Sequence, residues 1–84
     1  MNPRIQALRP NPDYTLTIRF ANGEVRRFDV KPYLNTGIFK ELQDLGLFNS
    51  VRPVLGSIQW KNGQDLCPDT LYLDSVPTAE ETTI

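Results

Sequence analysis

No histidine occurs among the 84 residues, and cysteine occurs once, at Cys67. A lone cysteine forms no internal disulfide, and structural zinc sites draw their ligands from cysteine and histidine, so both common staples of a mini-domain are excluded. The missing histidine also removes the commonest general base and the commonest metal ligand. Long apolar runs are lacking: no stretch approaches the ~20 residues that cross a bilayer. Residues 1–10 show no charged-then-apolar signal pattern. Together these absences point to a cytoplasmic protein that carries no membrane segment and no cofactor. An excess of one charge sign is lacking too, with nine basic side chains against ten acidic ones.

What is present suits one small domain that is 39% hydrophobic. A chain of this length buries only about 60% to 65% of its unfolded surface, so a modest apolar core must hold it, supplemented at most by self-association. Seven prolines and five glycines fall almost entirely between the apolar stretches, cutting the chain into short strands and one helix. The pattern shows no internal repeat and no second domain.

Residues 5–8 form a short apolar stretch closed by Pro10 and Pro12, a first strand whose partner is not readable. Tyr14, Leu16, Ile18 and Phe20 alternate with Thr15, Thr17 and Arg19, the period of a half-buried strand. Asn22-Gly23 signals a hairpin. A two-residue loop there would send Phe28 and Val30 to the face opposite Leu16 and Ile18. A three-residue loop with Gly23 as a left-handed bulge pairs Phe20 with Glu24, Ile18 with Arg26 and Leu16 with Phe28, and is the predicted register. Pro32 stops the strand. A helix follows, with Thr36 as N-cap, Ile38, Phe39, Leu42 and Leu45 as its apolar stripe and Gly46 as its stop.

Residues 51–54 and 57–60 read as a second hairpin around Gly56, with Pro53 on an edge strand and Ile58 and Trp60 sharing a face. Asn62-Gly63 makes another turn, and Pro68 opens a short C-terminal helix with Asp69 in its first turn. The fold class is therefore α+β: a small, mostly antiparallel sheet built from an N-terminal and a C-terminal hairpin, with one packed helix and a short C-terminal helix. The domain is expected over residues 1–74, and the small polar residues 75–84 as a disordered tail. The predicted core centres on Leu16, Ile18, Phe28, Phe39, Leu42 and Trp60.

Candidate functional residues are few. Asp65, Asp69 and Asp74 are the only acidic concentration near glycine and turn residues, and Asp65 with Asp69 could serve a metal-dependent hydrolase. Their spacing matches no calcium loop, and capping of the Pro68 helix accounts for them. Cys67 lacks a base to activate it, which leaves a small buried or capping role. Trp60, Tyr14, Tyr33 and Tyr72 could line a groove, although so small a core needs its aromatics. Charge is polarised: residues 1–31 carry six basic and three acidic side chains, residues 61–84 one and five. Arg19, Arg26, Arg27 and Lys31 are the candidate contacts for an acidic partner or a nucleic acid, with Arg19, Arg27 and Lys31 on the outer hairpin face beside Thr15, Thr17 and Asp29. No stacking aromatic is interleaved there.

The string Trp60-Lys61-Asn62-Gly63-Gln64-Asp65-Leu66-Cys67-Pro68-Asp69-Thr70-Leu71-Tyr72 resembles the C-terminal signature of a family of small bacterial proteins known as domain of unknown function 2442. Leu16-Thr17-Ile18-Arg19-Phe20-Ala21-Asn22-Gly23-Glu24, Phe28-Asp29-Val30 and Gly37-Ile38-Phe39-Lys40-Glu41-Leu42 agree with it upstream. The resemblance implies a compact α+β domain and marks Trp60, Asn62, Gly63, Asp65, Pro68, Asp69 and Tyr72 as a structural motif. Lys61 departs from the family, where proline often precedes the Asn-Gly pair, which implies a less rigid turn here. The resemblance transfers no reaction and no catalytic residue. Some members are joined to a DNA-binding helix-turn-helix domain, and many sit beside another small protein in a setting similar to toxin-antitoxin pairs.

The function these features suggest is a non-enzymatic protein-interaction module, the regulatory or antitoxin-like partner of a neighbouring small protein. Nucleic-acid binding through the basic hairpin is the alternative, a metal-dependent hydrolase the third reading, and homodimerisation through an open sheet edge is compatible with each.

Overall fold

The computed structural model describes residues 2–78. Strand β1 (Ile5–Pro10), β2 (Thr15–Phe20) and β3 (Val25–Asp29) form an antiparallel meander. The period-two pattern sets its faces: Leu16, Ile18 and Phe20 are fully buried on one side. The β2–β3 register pairs Leu16 with Phe28 and Ile18 with Arg26, as the bulged turn requires. Phe20 N–H reaches Glu24 O at 2.8 Å, Gly23 N–H reaches Phe20 O at 2.9 Å, and Gly23 has φ +89°. That φ is open to glycine and strained for any side chain. The partner the sequence left unread is now clear: β1 lies along β2, with a register shift between Ile5 and Ala7.

The segment predicted as one helix is two. Residues Gly37–Gln43 form a 3-10 helix, and α1 (Leu45–Phe48) is a single α-helical turn. Asp44 divides them. Its backbone is extended (φ −74°, ψ 114°), and its side chain accepts from Gly46 N–H at 2.9 Å, which starts a new helix one residue later. Gly46 therefore lies inside α1 instead of stopping a helix, and the restarted turn buries Phe48 while Leu45 stays 41% exposed. Thr36 sits at the N-cap position without a side-chain cap, Leu42 is buried and Phe39 packs on the core edge. The Ile38 side chain lies outside what the structure describes.

A second sheet follows, from β4 (Arg52–Val54), β5 (Ser57–Gln59) and β6 (Asp65–Leu66), ordered β4-β5-β6. The predicted hairpin is present, and β6 adds a strand that two residues were too short to announce. Ile58 and Trp60 share the buried face. The helix α2 (Pro68–Leu73) opens on Pro68 with Cys67 at the N-cap and buries Leu71. Beyond the domain boundary predicted at residue 74, Ser75 is buried and β7 (Val76–Pro77) pairs with β3, adding a fourth strand to the first sheet, ordered β1-β2-β3-β7. The rest of the predicted tail, residues 79–84, lies outside the described residues.

The class is α+β. Ile5, Leu16, Ile18, Phe20, Phe28, Val30, Leu34, Leu42, Phe48, Val51, Ile58, Trp60 and Leu71 make one core shared by both sheets and the helical turns. No helix among the described residues is long and apolar enough to cross a membrane.

Candidate functional site

The signature residues hold the fold at defined points. Trp60, 1% exposed, donates Nε1–H to Phe48 O at 3.0 Å and so ties β5 to α1. Asn62 accepts Gln64 N–H on Oδ1 at 3.1 Å and donates Nδ2–H to Glu41 Oε2 at 2.9 Å, linking the turn to the 3-10 helix. Gly63 has φ +90°. Pro68 is pre-set for the first turn of α2, and Asp69 there accepts from Asn2 Nδ2 at 3.2 Å. Tyr72 meets Phe20 edge-on at 5.1 Å between centroids and donates its hydroxyl hydrogen to Glu24. Lys61, where proline would have no N–H to give, donates its N–H to Ser50 Oγ at 3.0 Å.

The same turn occurs twice. Ile18-Arg19-Phe20-Ala21-Asn22-Gly23 and Ile58-Gln59-Trp60-Lys61-Asn62-Gly63 share an Ile-x-aromatic-x-Asn-Gly pattern and one hydrogen-bond scheme. Trp60 N–H reaches Gln64 O at 2.8 Å and Gly63 N–H reaches Trp60 O at 2.9 Å, matching Phe20 and Gly23. The registers agree as well, Arg19 with Val25 and Gln59 with Asp65. Three identical letters in six, with an aromatic residue at a fourth position, make a shared turn and not an internal repeat of the sequence, and the backbone is what aligns them.

The four predicted basic contacts do not form one patch. Arg19 and Arg27 lie on the outer face of the first sheet, where Arg9, missed by the sequence reading, stands opposite Thr17 and completes the cross-strand row Arg9-Thr17-Arg27. Arg26 is on the inner face. Its Nε donates to Ser75 Oγ at 2.7 Å, its Nη2 to Ser75 O at 2.8 Å, and its guanidinium pairs with Glu24 at 3.3 Å. Lys31 lies past the end of β3, paired with Asp29 at 3.2 Å and reaching Asp13 O at 3.3 Å. Thr17 on the outer face is fully buried, and Arg9, Arg19 and Arg27 are each engaged within the chain.

The acidic candidates are also separated in role. Asp65 lies in β6 and not at the start of α2, while Asp69 occupies that helix's first turn. Among the described residues no three histidine, cysteine or carboxylate side chains gather where a metal ion could sit. Cys67 is exposed and its side chain caps nothing. The aromatics Tyr14, Tyr33 and Tyr72 pack on the core.

A concavity of about 450 Å³ opens on the second sheet, lined by Ser50, Arg52, Gln59, Trp60, Lys61 and Gly63. The β4–β5 register sets Arg52 beside Gln59, and the Asn62-Gly63 turn brings Lys61 to the rim. Arg52 and Lys61 are isolated in the sequence, and no composition signal joins them. At the far end of β4, Leu55 and Gly56 form a two-residue turn with φ +51° and +82°. Leu55 is 91% exposed.

No curated protein and no solved structure matches the chain. One protein family does, over residues 5–77, which spans β1 to β7 and takes in both Asn-Gly turns and the Trp60-to-Tyr72 motif. The chain belongs to the family described as protein of unknown function (DUF2442).

Proposed function

We propose that the chain is a non-enzymatic interaction module that binds another small protein in the cytoplasm, as the regulatory or antitoxin-like half of a two-protein pair. The observation that carries this reading is Leu55. A left-handed backbone costs a non-glycine residue about 1–2 kcal/mol, and Leu55 adopts it (φ +51°) while 91% exposed. Asn or Gly would serve a two-residue hairpin turn better. A leucine held there keeps an apolar side chain on a rigid tip, pinned from below by Arg4 Nη1 to Leu55 O at 3.1 Å and by Ile5 N–H to Gly56 O at 3.0 Å. Inserting that side chain into a partner's apolar pocket returns about 1.5–3 kcal/mol. Co-expression with the product of the neighbouring gene tests the reading. A complex that survives purification at modest salt and is lost in Leu55→Asn supports it; no complex, or one indifferent to Leu55→Asn, overturns it. Sedimentation at several concentrations identifies a second copy of the chain as the partner instead.

Nucleic-acid binding rests on the Arg9-Thr17-Arg27 row with Arg19 beside it. A polyanion there must displace the contacts these arginines already make. The expected signature is affinity that falls steeply with salt and with Arg19→Glu and Arg27→Glu. Salt-insensitive or undetectable binding to a mixed DNA and RNA pool removes this reading.

A further inference from the structure

We propose that the concavity on the second sheet is a phosphate-binding site for a small phosphorylated molecule, with Arg52 and Lys61 as its anion ligands. Most cationic side chains of the described chain are engaged internally: Arg4 with Leu55 O, Arg9 with Asn11, Arg26 with Ser75 and Glu24, Lys31 with Asp29, and Arg19 and Arg27 within the chain. Arg52, Lys61 and the exposed Lys40 are not, and of these three Arg52 and Lys61 come together. Among the described residues neither side chain has a hydrogen-bond or ion-pair partner, and both line the same depression. No carboxylate lines it. Asp65 stands across the sheet with Gln59 between it and Arg52.

Two cations match a phosphomonoester, which carries about −1.5 to −2 at neutral pH, better than a single carboxylate. The guanidinium offers a planar fork for two oxygens, the ammonium a point charge, and the Gln59 amide is a further donor at the wall, while the Ser50 hydroxyl is spent on Leu47 O and on holding Lys61 N–H. The backbone under Lys61 is fastened at three places, Lys61 N–H to Ser50 Oγ at 3.0 Å, Trp60 Nε1–H to Phe48 O at 3.0 Å and Asn62 Nδ2 to Glu41 at 2.9 Å. Binding an anion therefore orders the two long side chains and leaves the turn as it is. The matching turn of the first hairpin has Ala21 where this one has Lys61, so the repeated scaffold is charged in one copy only. A depression of about 450 Å³ leaves room beyond the phosphate for the molecule that carries it.

The test is a nitrogen-15 NMR titration of the full chain with inorganic phosphate and, separately, with adenosine monophosphate, at constant ionic strength set by sodium chloride. The expected result is saturable shifts at the Ser50, Lys61 and Gly63 amides and the Trp60 indole N–H, and binding at least about tenfold weaker in both Arg52→Gln and Lys61→Gln. Equal affinity for the two probes names free phosphate as the ligand; tighter binding of the monophosphate names a phosphorylated small molecule. Shifts that do not saturate, that sodium chloride alone reproduces, or that persist unchanged in both variants overturn the site. Both side chains are exposed, so the variants keep the fold, which unchanged amide shifts elsewhere in the spectrum verify.

Discussion

The guanidinium of Arg26 lies over the ring of Tyr72, 4.6 Å from its centroid, and joins the first hairpin to the C-terminal helix. Glu24 accepts from Tyr72 and pairs with Arg26, while Ser75 takes two of the arginine's donors. Arg26, picked out as a surface contact, is therefore a fastening within the fold.

Replacing Arg26 with methionine removes a charge-assisted network at a side chain that is 14% exposed. The expected loss is about 2 kcal/mol, a fall in Tm of about 8–16 °C for a domain this size. Thermal unfolding followed by circular dichroism measures it, and a change under about 2 °C contradicts the role.

Acid should loosen the same joint. The Tyr72 hydroxyl, then the Asn22 amide and the Arg26 guanidinium, hold the Glu24 carboxyl below its usual range. The Thr15 hydroxyl does the same for Asp13, with Lys31 adding to it. A depressed folded pKa means that the added stability is complete above the ordinary carboxylate range and disappears as pH falls through the folded value. Urea midpoints should therefore be lower for Glu24→Gln than for the parent chain at pH 7 and converge with it in acid. A gap that persists to low pH refutes this. Tyr72 works in the opposite direction: the Glu24 carboxylate raises its pKa, so its contribution is complete below about pH 10 and lost as pH rises through the folded value.

The repeated turn makes a paired prediction. A Cβ added at Gly23 or Gly63 meets nothing within 4 Å, so Gly23→Ala and Gly63→Ala cost only backbone strain, about 1–2 kcal/mol and alike at both sites. Gly56→Ala should cost more, because its Cβ falls 2.8 Å from the Arg4 side chain. Chemical denaturation of the three variants gives the ranking.

Trp60 is the single tryptophan and is fully buried, so its emission should shift to the red on unfolding and report the global transition. Trp60→Phe removes the Nε1–H donor to Phe48 O along with packed volume, with an expected cost of about 2–3 kcal/mol. Leu55→Asn should raise stability by about 1 kcal/mol through relief at the left-handed turn, whatever it does to partner binding.

Legibility in the sequence followed the length of each pattern. Seven alternating residues and Asn22-Gly23 were enough for the β2–β3 register, because parity excludes the two-residue loop. β6 and β7 have two residues each and no period to read. The predicted helix failed at Asp44, where a carboxylate that could face water instead caps a new turn, a competition that helical spacing does not reveal. At the candidate site, Lys61 was visible only as a departure from the family pattern, and Arg52 joined it only through β4–β5 pairing. Arg9 escaped notice because the partner of β1 was unread.

β7 comes from the last described residues yet borders a strand formed near the start, with Thr78 N–H on Val25 O at 3.2 Å. Both hairpins leave the ribosome before it. Until residues 71–78 emerge, Phe20 lacks Tyr72 and Arg26 stands on the inner face without Ser75. A partner that recognises the joint between the first hairpin and the C-terminal helix therefore needs residues 71–78 in place.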